Sequence, residues 1–232
     1  MTPRITRLGS SWLLPTVLST TAGAVDVIGF LALGGLFTAH ITGNVVIVAA
    51  HYVTGGFSQI GPLLAVPVFM VVMGLVTLAS SAIASTGTMP LRPLLWLQTA
   101  LLAGFLLLGV WFGHFDNADS SMAVLAGMLG VSAMATQNVL VKIALKGAPS
   151  TAVMTTNITQ LTVDLATLAR RRGNADELTK ARRRARMTFP CIIGFIGGCA
   201  AGAALEVKFG LWALALPVAL SALAVPLGRV EE

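Results

Sequence analysis

The chain has 232 residues, of which 56% are hydrophobic and only 10% charged, with a mean hydropathy of +0.85. A soluble domain carries about 25% charged residues, so a soluble enzyme or binding module is excluded, and too little polar sequence remains for a separate soluble domain. The net charge of +6 does not indicate nucleic acid: eight of the 15 Lys and Arg lie between Arg170 and Arg186, beside apolar segments, where the positive-inside rule makes them a cytoplasmic anchor.

Eight segments follow in chain order. Segment 12–33 has the ~20 residues a helix needs to cross a bilayer core. Arg4, Arg7 and Ala22-Gly23-Ala24 resemble a secretory signal with its cleavage site. The apolar run continues through Ile28, Phe30, Leu31 and Leu33, so the segment reads as an uncleaved first spanning helix. Segment 37–53 is shorter and opens on polar residues. Segments 60–84 and 93–113 read as spans. A polar loop with His114, Asp116 and Asp119 leads to a span over 122–145. Segment 150–170 is the second short, polar one, and 187–205 and 211–227 are spans. Gly34-Gly35, Gly55-Gly56, Met89-Pro90 and Gly147-Ala148-Pro149 punctuate the joins.

The eight segments form two sets of four. Thr38-Ala39-His40-Ile41-Thr42-Gly43-Asn44 is answered by Thr151-Ala152-Val153-Met154-Thr155-Thr156-Asn157, an offset of 113 residues (157 − 44). Pro67 precedes Gly74 by seven residues, as Pro190 precedes Gly197. The expected architecture is an all-α polytopic membrane helix bundle forming one membrane domain over 1–232. Repeat one covers 11–113, repeat two covers 121–228, and a basic cytoplasmic loop covers 170–186.

Charge arbitrates between two topologies. Eight full crossings with the N-terminus inside leave 11 of 15 basic residues inside; letting 37–53 and 150–170 dip in and return gives 14 of 15. The second arrangement has six full crossings plus two short or re-entrant helices, and three crossings per repeat make the halves inverted. It places both termini in the cytoplasm.

A helix that begins inside the membrane presents unpaired N–H groups and the positive end of its dipole. Irregular backbone there is tolerated only when buried or lining a cavity. Two such starts facing each other suit an anion or a carboxylate. The expected substrate-binding residues are Thr38, Thr42, Asn44, Thr151, Thr155 and Asn157, with Gln137 and Asn138 on the fifth segment. Asp26, a carboxylate in the first spanning segment, and His40, where the second phrase has Val153, are the expected proton- or ion-coupling groups. The plainer alternative has the phrase residues capping helices and bonding their neighbours.

Asp164 is expected to face Arg170 or Arg171 in a salt bridge. Gly194, Gly198 and Gly202 recur every four residues, a spacing for close helix packing within the chain or in a homodimer. Cys191 and Cys199 show no metal spacing and read as small buried hydrophobes. There is no phosphate loop, metal motif or catalytic triad. The expectation is therefore no enzyme, no cofactor and no metal, with the lipid bilayer and a small-molecule or ion substrate as partners.

Gly29-Phe30-Leu31-Ala32-Leu33-Gly34-Gly35-Leu36-Phe37 followed by Thr42-Gly43-Asn44 resembles the first signature of the bacterial YoaK family, integral membrane proteins of unknown function. Met134-Ala135-Thr136-Gln137-Asn138 followed by Thr151, Thr155 and Asn157 resembles the second, departing from it with Thr156 where a Gly is usual. The resemblance covers essentially the whole chain and implies a multi-pass protein of the bacterial inner membrane, with no reaction attached. In plan alone, the chain is also similar to SulP and UraA type transporters. The leading expectation is a small secondary transporter or channel. It would hold an anionic or carboxylate-bearing solute between the two polar helix starts and couple to protons; the alternative is a non-transporting scaffold or sensor.

Overall fold

The computed structural model describes residues 12–54, 60–85, 90–112, 115, 117–170 and 174–231. Arg4, Arg7, Gly55-Gly56, Met89, His114, Asp116 and Arg171 lie outside the described residues. Among the described residues, eight α-helices follow one another: α1 (Leu13–Ala32), α2 (Ile41–Thr54), α3 (Ile60–Ser85), α4 (Leu91–Phe112), α5 (Ser121–Ala144), α6 (Met154–Arg170), α7 (Ala175–Phe209) and, after a 3-10 turn (Gly210–Leu214), α8 (Ala215–Glu231). The described residues contain no strand. Among the described residues, five stretches are long and apolar enough to cross a membrane: α1, α3, α4, α5, and the stretch Ala175–Gly228 that holds α7 and most of α8. The protein is an all-α, multi-pass membrane helix bundle.

Side-chain contacts fix the helix directions. Gln137, seven residues before the end of α5, bonds the carbonyl of Leu18, near the start of α1. Gly194, Gly198 and Gly202 of α7 meet Thr16 and Thr20, then Thr20 and Ala24, then Ala24 and Val27 of α1, so α1 and α7 run parallel. Gly228 of α8 touches Leu91 and Leu95, and Gly109 of α4 touches Leu211. The amide of Ile60 bonds the Asp119 carboxylate, which puts the start of α3 beside the α4–α5 connection. Hence α1, α4 and α7 run one way, and α3, α5 and α8 the other. One end of the bundle gathers Arg92, Lys142, Lys146 and the charged turns of α7, and is called the basic end below; the far end carries Asp119 and Lys208.

The packing pairs come in matched sets: α1 on α7 and α5 on α3, α4 on α5 and α8 on α1, α2 on α3 and α6 on α7. The centre of the bundle is apolar, with Ala22, Val25, Ile28, Leu102, Phe105, Val131 and Met134 buried. Lipid is as apolar as these side chains, so packing and polar bonds, more than burial, hold the helices together. The α1–α7 contact shows this. A Cβ added at Gly23 would strike the backbone of α7, and one at Gly198 the backbone of α1. The Gly194, Gly198 and Gly202 stripe, read as a possible homodimer face, is therefore covered by α1 of the same chain.

Helices α2 and α6 differ from the others. Their 14 and 17 residues span about 21 and 26 Å, less than the ~30 Å of a bilayer core. Both open in the middle of the duplicated phrase, at Ile41 and Met154, later than the segment starts expected at 37 and 150. Thr38 lies against Gly130, nine residues and about 14 Å into α5. From there α2 runs back to the far end, where α3 begins. Helix α6 lies antiparallel to α7 and runs back to the basic end. Each short helix therefore starts inside the bundle and leaves by the end at which the preceding long helix stops.

Glycines make both reversals. Gly34 and Gly35 after α1 (φ 62° and 89°) and Gly147 after α5 (φ 88°) are left-handed, a region open to Gly at no steric cost. Gly147 stands 113 residues after Gly34, the offset of the phrase. The basic stretch expected as a loop over 170–186 is instead helical from Ala175. Asp176 and Glu177 occupy the first turn of α7, where acids favour the helix dipole, and the Lys and Arg that follow are good helix formers.

Candidate functional site

At the first start, Asp26 does the work of a helix cap from a neighbouring helix. Its Oδ1 accepts the Ala39 amide at 2.7 Å, the Thr38 hydroxyl at 3.3 Å and the His40 amide at 3.4 Å. Its Oδ2 lies 2.7 Å from His40 Nδ1; against an ionised carboxylate that nitrogen carries the proton. Asn44 is fully buried and spent on its own loop. Its Oδ1 accepts the Phe37 amide at 2.9 Å, and its Nδ2 donates to the Phe37 carbonyl at 2.8 Å. Asp26 thus takes the Ala39 and His40 amides that lead into α2 and that were expected to face a guest. A cavity of about 390 Å³ opens beside the pair, walled by Val27, Phe30, Phe37, Phe195 and Cys199.

The second start repeats this geometry with neutral groups. Gln137 stands in for Asp26: its Nε2 donates to Thr151 Oγ1 at 2.8 Å and to the Leu18 carbonyl at 3.0 Å. Its Oε1 accepts from Gln98 Nε2 at 2.7 Å. Asn157 Nδ2 donates to the Ser150 carbonyl at 2.6 Å, seven residues back, just as Asn44 reaches Phe37. Ser150 Oγ accepts the Val153 amide at 2.9 Å. Asn138 donates to Met134 of its own helix and borders a separate cavity with Thr151 and Thr156. Thr42 and Thr155 are exposed on their helices.

The sequence reading placed one pocket between the two starts; the structure gives each start its own. Thr38 meets α5 at Gly130, whereas Thr151 meets it at Gln137, two turns and about 10 Å farther along. Buried Val131, Ala133, Met134 and Ala135 of α5 fill that interval. The physical reason is that each start is satisfied by its own long helix, Asp26 or Gln137, and neither needs the other.

A polar cleft of about 520 Å³ opens at the second start, lined by Ser150, Thr156, Asn157 and Gln160, with Lys180, Arg183 and Arg184 of α7 on its other wall. Asp164 is fully buried beneath it and pairs with Arg184 rather than with Arg170, while Arg171 lies outside the described residues. Arg184 Nε lies 3.1 Å from Oδ1, and Nη2 at 2.5 Å. Counting turns on α6 points to Arg170; the antiparallel packing of α7 is what brings Arg184 there.

Lys180, Arg183, Arg184, Gln160 and Ser150 were not singled out by sequence, because a basic cluster does not reveal which of its faces meets a polar wall. Gln98 did carry a signal, as a polar residue followed by Thr99 inside an otherwise apolar helix. Thr99 pairs with Ser221 of α8 at 2.7 Å. Among the described residues, no three His, Cys, Asp or Glu side chains gather as a metal site.

A family model described as a protein of unknown function (DUF1275) matches residues 14–227. Over 34 residues the chain is 59% identical to the UPF0700 transmembrane protein YoaK of Bacillus subtilis (strain 168), a match that spans 15% of this chain and 15% of that relative's length. No solved structure matches.

Proposed function

The chain belongs to the DUF1275 family of membrane proteins, and we propose that it is a small secondary transporter or channel for a small anionic or carboxylate-bearing solute, built from two inverted repeats. The observation that carries this reading is the cleft at the second start. It sets the polar groups of Ser150, Thr156, Asn157 and Gln160 opposite three cationic side chains, of which buried Asp164 pairs with Arg184. The opposed directions of corresponding helices, the matched packing pairs and the two interior helix starts support the inverted repeat, a plan that places solute sites where broken helices end. We assign the basic end to the cytoplasm of a bacterial inner membrane by the positive-inside rule.

In this proposal the second start receives the anion, and the Asp26–His40 pair at the first start exchanges the coupling proton. A buried carboxylate within a membrane helix is costly unless it is used or paired, and here it is both capped and paired. Movement of the solute requires the apolar layer of Ala22, Val25 and Met134 to part. No enzymatic activity and no cofactor is assigned.

Proteoliposomes test this with a panel of labelled small carboxylates and inorganic oxyanions. The expected result is uptake of at least one anion that drops by about tenfold in Lys180→Gln with Arg183→Gln, near the loss of two charge-assisted bonds after solvent screening. Anion uptake indifferent to both substitutions overturns the site.

A scaffold or sensor without transport is the second reading. One observation favours it: the side chains of Thr38, Asn44, Thr151 and Asn157 are all bonded within the chain, with packed apolar residues between the starts. It predicts that no panel anion crosses faster than in empty vesicles.

A further inference from the structure

The basic turns of α7 do not form one patch. Lys180 and Arg184, four residues apart and so on one helix face, line the cleft against α6. Arg182 and Arg186, also four apart, face the start of α1 instead. There they line a second cavity of about 610 Å³ with Trp12, Thr179, Arg183, Met187, Phe189 and Pro190. Trp12 immediately precedes α1, and both Trp12 and Phe189 are more than half exposed. Among the described residues, no carboxylate lines this cavity.

The position along α7 matters as much as the composition. Arg186 is the last charge of the basic run, and from Met187 the helix is apolar up to Glu206. The cavity straddles that boundary, with guanidinium groups on one side and Phe189 and Pro190 on the other. An indole sits at the same level, which is the depth Trp prefers at a membrane surface. A soluble anion would have no use for the apolar wall, and an uncharged lipid none for the arginines. An amphiphile with a phosphate and acyl chains satisfies both. Arg is suited to the phosphate because its planar fork binds two oxygens at once.

We propose that this cavity binds the headgroup of an anionic phospholipid. Arg182 and Arg186 hold the phosphate, Trp12 lies at the glycerol level, and an acyl chain runs along Phe189. The site adjoins the solute cleft and shares Arg183 and Met187 with it, but neither of these is assigned to the phosphate.

The test is native mass spectrometry of the full chain in detergent with equimolar phosphatidylglycerol and phosphatidylcholine, and with glycerol 3-phosphate in a parallel arm. Wild type is expected to retain phosphatidylglycerol preferentially and glycerol 3-phosphate not at all. Arg182→Gln with Arg186→Gln should weaken that retention about thirtyfold, the effect of removing two surface cations from an anionic lipid site. A control removing the same charge elsewhere at the basic end, Lys146→Gln with Arg170→Gln, should leave it unchanged. Should the double arginine variant fail to fold, quenching decides: a brominated phosphatidylglycerol should quench the wild-type tryptophans more than brominated phosphatidylcholine, and Trp12→Phe should remove the difference. Equal retention of both lipids, equal loss in the control pair, glycerol 3-phosphate binding as firmly as the lipid, or a quenching difference that survives Trp12→Phe overturns the proposal.

Discussion

The two helix starts share a backbone and differ in chemistry. Each has a left-handed glycine turn after a long helix, an Asn reaching seven residues back to a backbone carbonyl, and a side chain of that long helix bonded to the Thr of the phrase. In the first half that side chain is the Asp26 carboxylate with His40 beside it. In the second it is the Gln137 amide, bonded onward to Gln98. A turn of this kind can form without a charge, since at the second start Ser150 Oγ takes the Val153 amide and Gln137 bonds the Thr151 hydroxyl. The carboxylate at the first start takes backbone amides and also lies against His40, and that second contact, which the other start lacks, is the reason to assign it a task beyond structure.

Exchanging the two chemistries tests this contrast. Gln137→Glu places a carboxylate in a fully buried site, where the Leu18 carbonyl can only accept. Its expected cost is about 3 kcal/mol or more, read as a large fall in the midpoint of thermal unfolding in detergent. The reverse exchange, Asp26→Asn, should cost only about 1–2 kcal/mol through weakened bonds to Ala39 and His40. In vesicles it should abolish any response of anion uptake to an imposed pH gradient while leaving downhill flux. Equal tolerance of both exchanges would erase the distinction between a charged and a neutral start.

The asparagines sharpen the comparison at the next level down. Asn44 makes two bonds to the Phe37 backbone, while Asn157 makes one to Ser150 and a weak contact to the Met154 sulfur. Asn44→Ala is expected to lose about 2–3 kcal/mol and Asn157→Ala about 1–2 kcal/mol, since each strands part-buried backbone groups. The unfolding midpoints of the two variants, measured side by side, check the order; a reversed order would show that the second turn depends on its Asn more than the hydrogen bonds imply.

Much of this was legible in the sequence, for reasons that also mark where reading stops. The apolar lengths revealed the long helices, and the offset of 113 tied His40 to Val153, because a repeated turn needs the same few residue types at the same places; that Gly34 and Gly147 share the offset showed only once both were seen to make left-handed turns. Asp26 stood out because a carboxylate is costly inside a membrane helix. The partner of Asp164 was not legible, since Arg184 comes from a helix whose direction against α6 is a tertiary fact. The same holds for the glycines of α7, where spacing shows that a backbone approaches but not whose. The single pocket expected between the starts failed for a related reason. Sequence shows that Thr38 and Thr151 are polar residues at matching points, but not that Gly130 and Gln137 receive them two turns apart on α5.

The smallest expected effect falls on the two phrase residues that the structure leaves without a role. Thr42 and Thr155 occupy matching positions, and both are exposed on their short helices. If the starts work as described, the phrase divides into residues that build the turn and residues that merely accompany it. Thr42→Val and Thr155→Val should then each change stability by less than about 0.5 kcal/mol, the usual range for a surface site, and leave the anion dependence of uptake within about twofold. Unfolding midpoints and uptake curves of the two variants check this together. A large loss of uptake at unchanged stability would mean that these hydroxyls meet the solute in a second arrangement of the bundle, one in which the starts come closer than the two turns of α5 that separate them here.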